Sequence, residues 1–187
     1  MAFADFLQVL GTPLMFLVRG RLAFRLDGNR TREVVSWLSA NGQTTAYFVR
    51  IRVVNKGFLT ADDAVVSVYE IRHNGQVVDA DSSALAWTDV HDVQSRYSGQ
   101  SIAKAPEIAP YVDVCGVDRL SGDFHVFSKK HTFGYHQFKQ DGEYQLELVV
   151  RGARPTQGHA LTIVLNYRRG NDPIVLNTKL RSISALY

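Results

Sequence analysis

Residues 47 to 71 read YFVRIRVVNKGFLTADDAVVSVYEI, and no other stretch restricts the fold of this chain as strongly. In its first part Tyr47, Val49, Ile51 and Val53 alternate with Arg50 and Arg52. A period of two places neighbouring side chains on opposite faces of a strand, so the run predicts a half-buried strand with one wet side. The polar Asn55-Lys56-Gly57 interrupts the pattern, and an almost wholly apolar run follows. There Val66 and Val68 point one way while Val65, Tyr69 and Ile71 point the other. Such a run requires either cover on both faces or a bulge that switches the register.

The rest of the chain carries the same signature. RLAFRL sets Leu22, Phe24 and Leu26 against arginines and Ala23, and REVVSWL (32–38) reads as a short helix or a strand, with strand favoured. DFHVFSKKHTF, EYQLELVVRG and ALTIVLNYRR supply three more strands, and the tail after Gly170 is a candidate for another. Asp27-Gly28, Asn41-Gly42, Asn74-Gly75 and Asp141-Gly142 are expected tight turns, because Asx and Gly tolerate positive φ. Many short strands with turn signals between them predict an all-β sandwich or barrel. The stretch from Asp79 to Pro110 is rich in Asp, Ser, Ala and Gly, and reads as an insert of loops with a short strand at ALAW and no core of its own.

With 187 residues, 45% of them hydrophobic and 21% charged, the chain is expected to form one soluble globular domain over 19–187. Residues 1–18 stand apart as an apolar segment. Phe3, Phe6, Leu7 and Leu10 keep helical spacing until Gly11-Thr12-Pro13 stops it. Two readings stand: a short helix docked on the domain, or an interfacial segment that meets a membrane or a partner. Asp5 precedes any basic residue, unlike the start of a secretory signal. The expected location is therefore the cytoplasm or the cytoplasmic side of a membrane. The net charge is +3 and the basic residues are scattered, so nucleic acid is not an expected partner.

Two stretches resemble a bacterial immunoglobulin-like antiparallel β-sandwich of the cell-adhesion-related (CARDB-like) group. VRIRVVNKGFLTADDAVVSVYEI is similar to the early strand pair of such domains, with Val53, Asn55, Gly57, Ala61 and Ala64 at the positions that match the pattern. DGEYQLELVV resembles a tyrosine corner, with Tyr144 three residues after Asp141. The run from Tyr47 to Tyr167 also looks like the soluble domains of uncharacterised bacterial proteins that follow N-terminal membrane segments. The resemblance implies that Tyr144 bonds back to nearby backbone, and it implies binding, adhesion or spacing roles. Asn55-Lys56-Gly57 is then expected to carry the chain from one sheet to the opposing one. Asn55 would satisfy backbone groups in the crossing, and Gly57 would supply conformational freedom.

Residues that could carry chemistry are few. No phosphate-binding glycine loop, G-x-S-x-G elbow or H-E-x-x-H occurs. His125, His131 and His136 are the nearest approach to a metal set. Along a strand, however, His125 and His131 would lie roughly 20 Å apart, which leaves His131 and His136 across Gly134 as weak metal candidates. They are more simply surface or half-buried histidines. The acidic pairs Asp62/Asp63, Asp79/Asp81 and Asp89/Asp92 do not match a calcium loop and read as turn caps. Cys115, the single cysteine, lies between valines and reads as a small buried strand residue. Trp37 and Trp87 are expected in the core or as lids. Tyr97 and Tyr111, in polar surroundings, are expected at a contact surface.

The expectation is a non-catalytic interaction or accessory module with no cofactor, recognising most readily a protein partner through loops at one end of the sandwich. A membrane-associated component using residues 3–18 is the first alternative, and a histidine-based metal-dependent enzyme the second.

Overall fold

The computed structural model of the chain describes residues 20–26, 32–39, 42–88, 90, 92, 95–104, 110–119, 121–130, 138, 140–153, 159–169 and 174–182. Two antiparallel sheets share one hydrophobic core. In the first sheet β1 (Leu22–Arg25), β3 (Gly42–Asn55), β9 (Tyr111–Asp118) and β10 (Phe124–Val126) lie in that spatial order. There β2 (Arg32–Ser39) also pairs with β3, and β7 (Ala86–Trp87) with β9. The second sheet runs β13 (Ile174–Ser182), β12 (His159–Tyr167), β11 (Gly142–Arg151), β4 (Ala61–His73) and β5 (Gln76–Asp79). Its strand β4 also pairs with β6 (Ser83–Ala84) and β8 (Gln100–Ile102). The described residues are thus mostly antiparallel β-sheet in a sandwich-like arrangement, and REVVSWL (32–38) and residues 174–182 of the tail are strands.

The inward rows follow the pleat. Val49, Ile51 and Val53 of β3, Leu146, Leu148 and Val150 of β11, and Leu161, Ile163, Leu165 and Tyr167 of β12 all enter the core. Where the sequence breaks alternation, the strand carries an extra residue. In β4, Leu148 pairs with Val68 and Glu147 with Glu70, so Tyr69 is bulged out and 49% exposed. The inward row then changes parity, from Val66 and Val68 to Ile71, which selects the bulge over double cover. In β9, Cys115 pairs with Val49 and Asp113 with Arg50, leaving Val114 as the extra residue. Val112, Val114, Cys115 and Val117 therefore all reach the core. Cys115 is fully buried, as expected, and burial pushes its thiol far above the usual range.

The insert builds no core of its own. Ser83–Ala84 pairs with the second sheet and Ala86–Trp87 with the first, so this segment crosses between the layers through Leu85. Leu85, Trp87 and Ile102 all join the common core. Trp87 is 1% exposed, and its indole N–H donates to the Ser98 carbonyl at 3.0 Å. The side chain of Trp37 lies outside the described residues.

Several local expectations change. Asn74-Gly75 is the expected tight hairpin, with φ of 47° and 83° at its two residues. Asp141-Gly142 instead leads into β11, with Gly142 at φ 147°. Gly42 is already in β3, opposite Ser39, and Asp27-Gly28 lies outside the described residues. Leu26 falls past the end of β1, where pairing stops at Arg25, and is 38% exposed instead of sharing the inward face of Leu22 and Phe24. Within DFHVFSKKHTF the described residues 123–130 form only the short β10: Ser128 leaves to bridge Leu85, Phe127 stacks on Phe48 across the outer face at 4.5 Å, and Lys129 and Lys130 are helical.

Candidate functional site

The crossing from β3 to β4 builds the most distinctive surface of the molecule. Asn55 ends β3 in the first sheet, and Ala61 opens β4 in the second. The Asn55 side chain is 4% exposed and uses its whole hydrogen-bonding capacity. Its Oδ1 accepts from the Arg21 N–H at 3.0 Å and the Gly57 N–H at 2.9 Å. Its Nδ2 donates to the carbonyls of Leu59 at 2.7 Å and Ile102 at 2.9 Å. Lys56 N–H adds a bond to the Arg21 carbonyl at 2.7 Å. The crossing expected of Asn55 is therefore observed. Gly57 acts differently from expectation: positive φ among the described residues falls on Asp63, Asn74, Gly75, Gly122 and Gly142, and Gly57 contributes its N–H to Asn55.

A pinned connection holds its side chains in place, and this one holds apolar side chains in water. Phe58 is 68% exposed and Leu59 43%. Lys104 reaches over the Phe58 ring with Nζ 3.8 Å from the centroid, a cation–π contact. Arg21 and Lys56 are exposed beside it. His159 opens β12 at the same end. Burial lowers its pKa, and Arg21 and Lys56 push it further down, as an electropositive surrounding should.

The opposite end is closed by aromatic rings. The Tyr144 hydroxyl donates to the Gln140 carbonyl at 3.0 Å, the backward bond expected of a tyrosine corner. Burial, with Tyr167 and Asp141 adding to it, pushes the Tyr144 phenol up to about 12. Phe124 lies 5.0 Å from the Tyr144 ring and 5.3 Å from Tyr167, whose hydroxyl donates to the Gly122 carbonyl. Asp141 caps the neighbouring turn, its Oδ1 accepting from the Arg169 N–H at 2.8 Å.

The outer face of the first sheet carries a third polar centre. Asp113, 4% exposed, accepts from Arg50 Nε at 2.7 Å and Thr88 Oγ1 at 3.0 Å, with Arg96 3.7 Å away. Arg50 also lies over the Phe48 ring at 5.1 Å. The wet side expected for β3 is thus closed at Arg50, whose side chain is 12% exposed. The same packing corrects Tyr97 and Tyr111. Arg96 reaches Asp113 and Trp87 holds Ser98, which draws the 3-10 turn Ser95–Tyr97 inward. Tyr97 and Tyr111 are each 8% exposed, so neither offers a contact surface.

His125 is half-buried opposite Gly116, and burial lowers its pKa against the opposing pull of Asp123 and Asp118. His131 and His136 lie outside the described residues, as do Phe3, Phe6, Leu7 and Leu10. Among the described residues no group of three or more His, Cys, Asp or Glu is placed to hold a metal ion. The acidic pairs act locally. Asp79 Oδ1 accepts from the Asp81 N–H, both carboxylates accept from Lys130 Nζ at 2.9 Å, and Asp92 caps the turn at Ser95.

Acid should weaken this fold through two histidines. Folding depresses the pKa of both His125 and His159, so the unfolded chain takes up their protons first. Stability is full above the ordinary histidine pKa of about 6.5 and declines as pH falls below it. Urea midpoints measured from pH 8 downward should show that decline, and it should flatten in the His125→Gln/His159→Gln double variant. An equal slope in both proteins would place the acid sensitivity elsewhere.

Sequence reading missed Phe58 and Leu59, which look like core residues in an apolar run. The available signal was their position within the five residues, 56–60, that must leave one sheet and enter the other. No family model, curated protein or solved structure matches this chain.

Proposed function

We propose that the chain is a non-catalytic interaction module of the immunoglobulin-like kind, resembling the CARDB-like group. Its contact surface is the tip formed by Lys56, Phe58, Leu59 and Lys104. The observation that carries this reading is the exposure of Phe58 on a connection that Asn55 bonds at Gly57 and Leu59 and ties to Arg21 and Ile102. Exposing a phenylalanine forgoes about 1.5–3 kcal/mol of burial, and a fixed backbone gives it no route inward. Anchor residues of binding surfaces have this character, being large, apolar and already in position. The Asn55 crossing and the Tyr144 corner support the immunoglobulin-like assignment.

The other exposed large hydrophobics among the described residues form no comparable anchor. Val77 and Val78 are consecutive residues on the short edge strand β5, and Tyr69 is a single bulged side chain. Site-specific photocrosslinking in cells tests the tip directly. Benzoylphenylalanine at position 58 should give defined adducts, and the same group at position 69 should not. Equal labelling from both positions, or none from 58, would remove the tip as the contact surface.

A further inference from the structure

The tip is apolar at its centre and cationic around it. Three segments meet there, 20–21, 56–60 and 103–104, and they carry Arg21, Lys56 and Lys104 but no carboxylate. The acids nearest in sequence are Asp62 and Asp63, within β4, where Asp62 accepts from Ser101 Oγ at 2.8 Å, and Glu107, which lies outside the described residues. All three cations are exposed. Lys104 rests on the Phe58 ring itself, so the positive charge and the largest apolar surface occupy one place.

The path of the chain adds a second observation. Arg21 is bonded to Asn55 and Lys56, so the polypeptide enters the sandwich at this end. The nineteen residues before Gly20 contain only two charged side chains, Asp5 and Arg19, among Phe3, Phe6, Leu7, Leu10, Phe16 and Leu17. Topology thus attaches an apolar stretch of sequence to the end of the domain that also exposes Phe58 and Leu59.

From this convergence we propose that the tip docks on an anionic lipid bilayer. Phe58 and Leu59 enter the boundary between headgroups and acyl chains, while Arg21, Lys56 and Lys104 lie against acidic headgroups. The inference rests on the tip being the contact surface and names what it contacts. A protein groove would also accept Phe58. Among the described residues the rim of the tip carries only cations, and that rim and the apolar segment leading into the same end favour a flat anionic surface. Two weak attachments on one chain reinforce each other, because the first raises the effective concentration of the second.

Vesicle flotation of the full chain tests the proposal. The vesicles are phosphatidylcholine alone and phosphatidylcholine with a third of phosphatidylserine. The chain should float with the acidic vesicles, less so with the neutral ones, and release as salt rises. Lys56→Gln/Lys104→Gln should lower partitioning about 25-fold, taking about fivefold for each lysine. Phe58→Ser/Leu59→Ser should lower it at least about tenfold, through the lost apolar insertion. Thermal unfolding of each variant confirms the fold, since all four side chains are exposed. A chain that stays with the buffer overturns the proposal, as does equal flotation on both vesicle types. Variants that float like the parent would assign all binding to residues 1–19 and also overturn it. If flotation fails while position 58 crosslinks to a protein, the bilayer is excluded and the interaction reading survives.

Discussion

Replacing Asn55 with alanine should destabilise the protein by about 3–5 kcal/mol, at roughly 1 kcal/mol for each of the groups it leaves unpaired. The side chain satisfies two N–H donors and two carbonyls drawn from three separate segments: the entry to β1, the β3–β4 connection and the end of β8. Alanine reaches none of them, at a site 4% exposed. Asn55→Asp is the sharper test. It keeps the oxygen that faces Arg21 and Gly57, but turns a second oxygen toward the carbonyls of Leu59 and Ile102. Acceptor would then face acceptor, and the loss should approach that of alanine. Urea unfolding at pH 7 measures both variants. A cost below about 1 kcal/mol for alanine would mean that the crossing is held by strand packing alone.

Removing the carboxylate of Asp113 should have a comparable effect, about 3–5 kcal/mol for Asp113→Ala. Arg50 is 12% exposed and its Nε lies 2.7 Å from that carboxylate, so the variant takes a charged acceptor away from a largely buried guanidinium. Thr88 and Arg96 lose the same acceptor. The pair Arg50→Met/Asp113→Leu should recover much of the loss, because neither desolvated charge remains and the methionine still packs on Phe48. A double-mutant cycle from denaturation midpoints gives the coupling directly. If the double variant is no more stable than Asp113→Ala, the loss comes from Thr88 and the 3-10 turn instead. The cluster also ties the insert to the sheet, so Asp113→Ala should expose Tyr97, readable as faster proteolysis near Arg96.

The two predictions differ in how visible their residues were in the sequence. Asn55 could be picked out because its role is local: a polar residue at the end of an alternating run, two before a glycine, serves the backbone that turns there. Tyr144 was legible for the same reason, its partner Gln140 being four residues away. Asp113 was not. It pairs with Arg50 from 63 residues away, and nothing near either residue in the chain announces the other.

Burial of the outer face was hidden in the same way. Alternation reports which side chains share a face but not whether that face meets solvent. For Arg50, Tyr97 and Tyr111 the answer came from the insert folding back over the sheet. Tyr69 lies between these cases. The broken pattern around it demanded a bulge or double cover, and only pairing with β11 chose the bulge.

What the sequence determined by itself was the all-β class, the inward rows from Leu22 to Tyr167, and the local devices at Asn55, Asn74-Gly75 and Tyr144. Each of these follows from the two-residue pleat or from hydrogen bonds spanning a few residues. Only the tertiary structure decided which apolar residues stay outside. Phe58 and Leu59 are as hydrophobic as their neighbours. They are left in water because the chain must pass from one sheet to the other where they stand, and among the described residues no strand lies beyond the crossing to cover them.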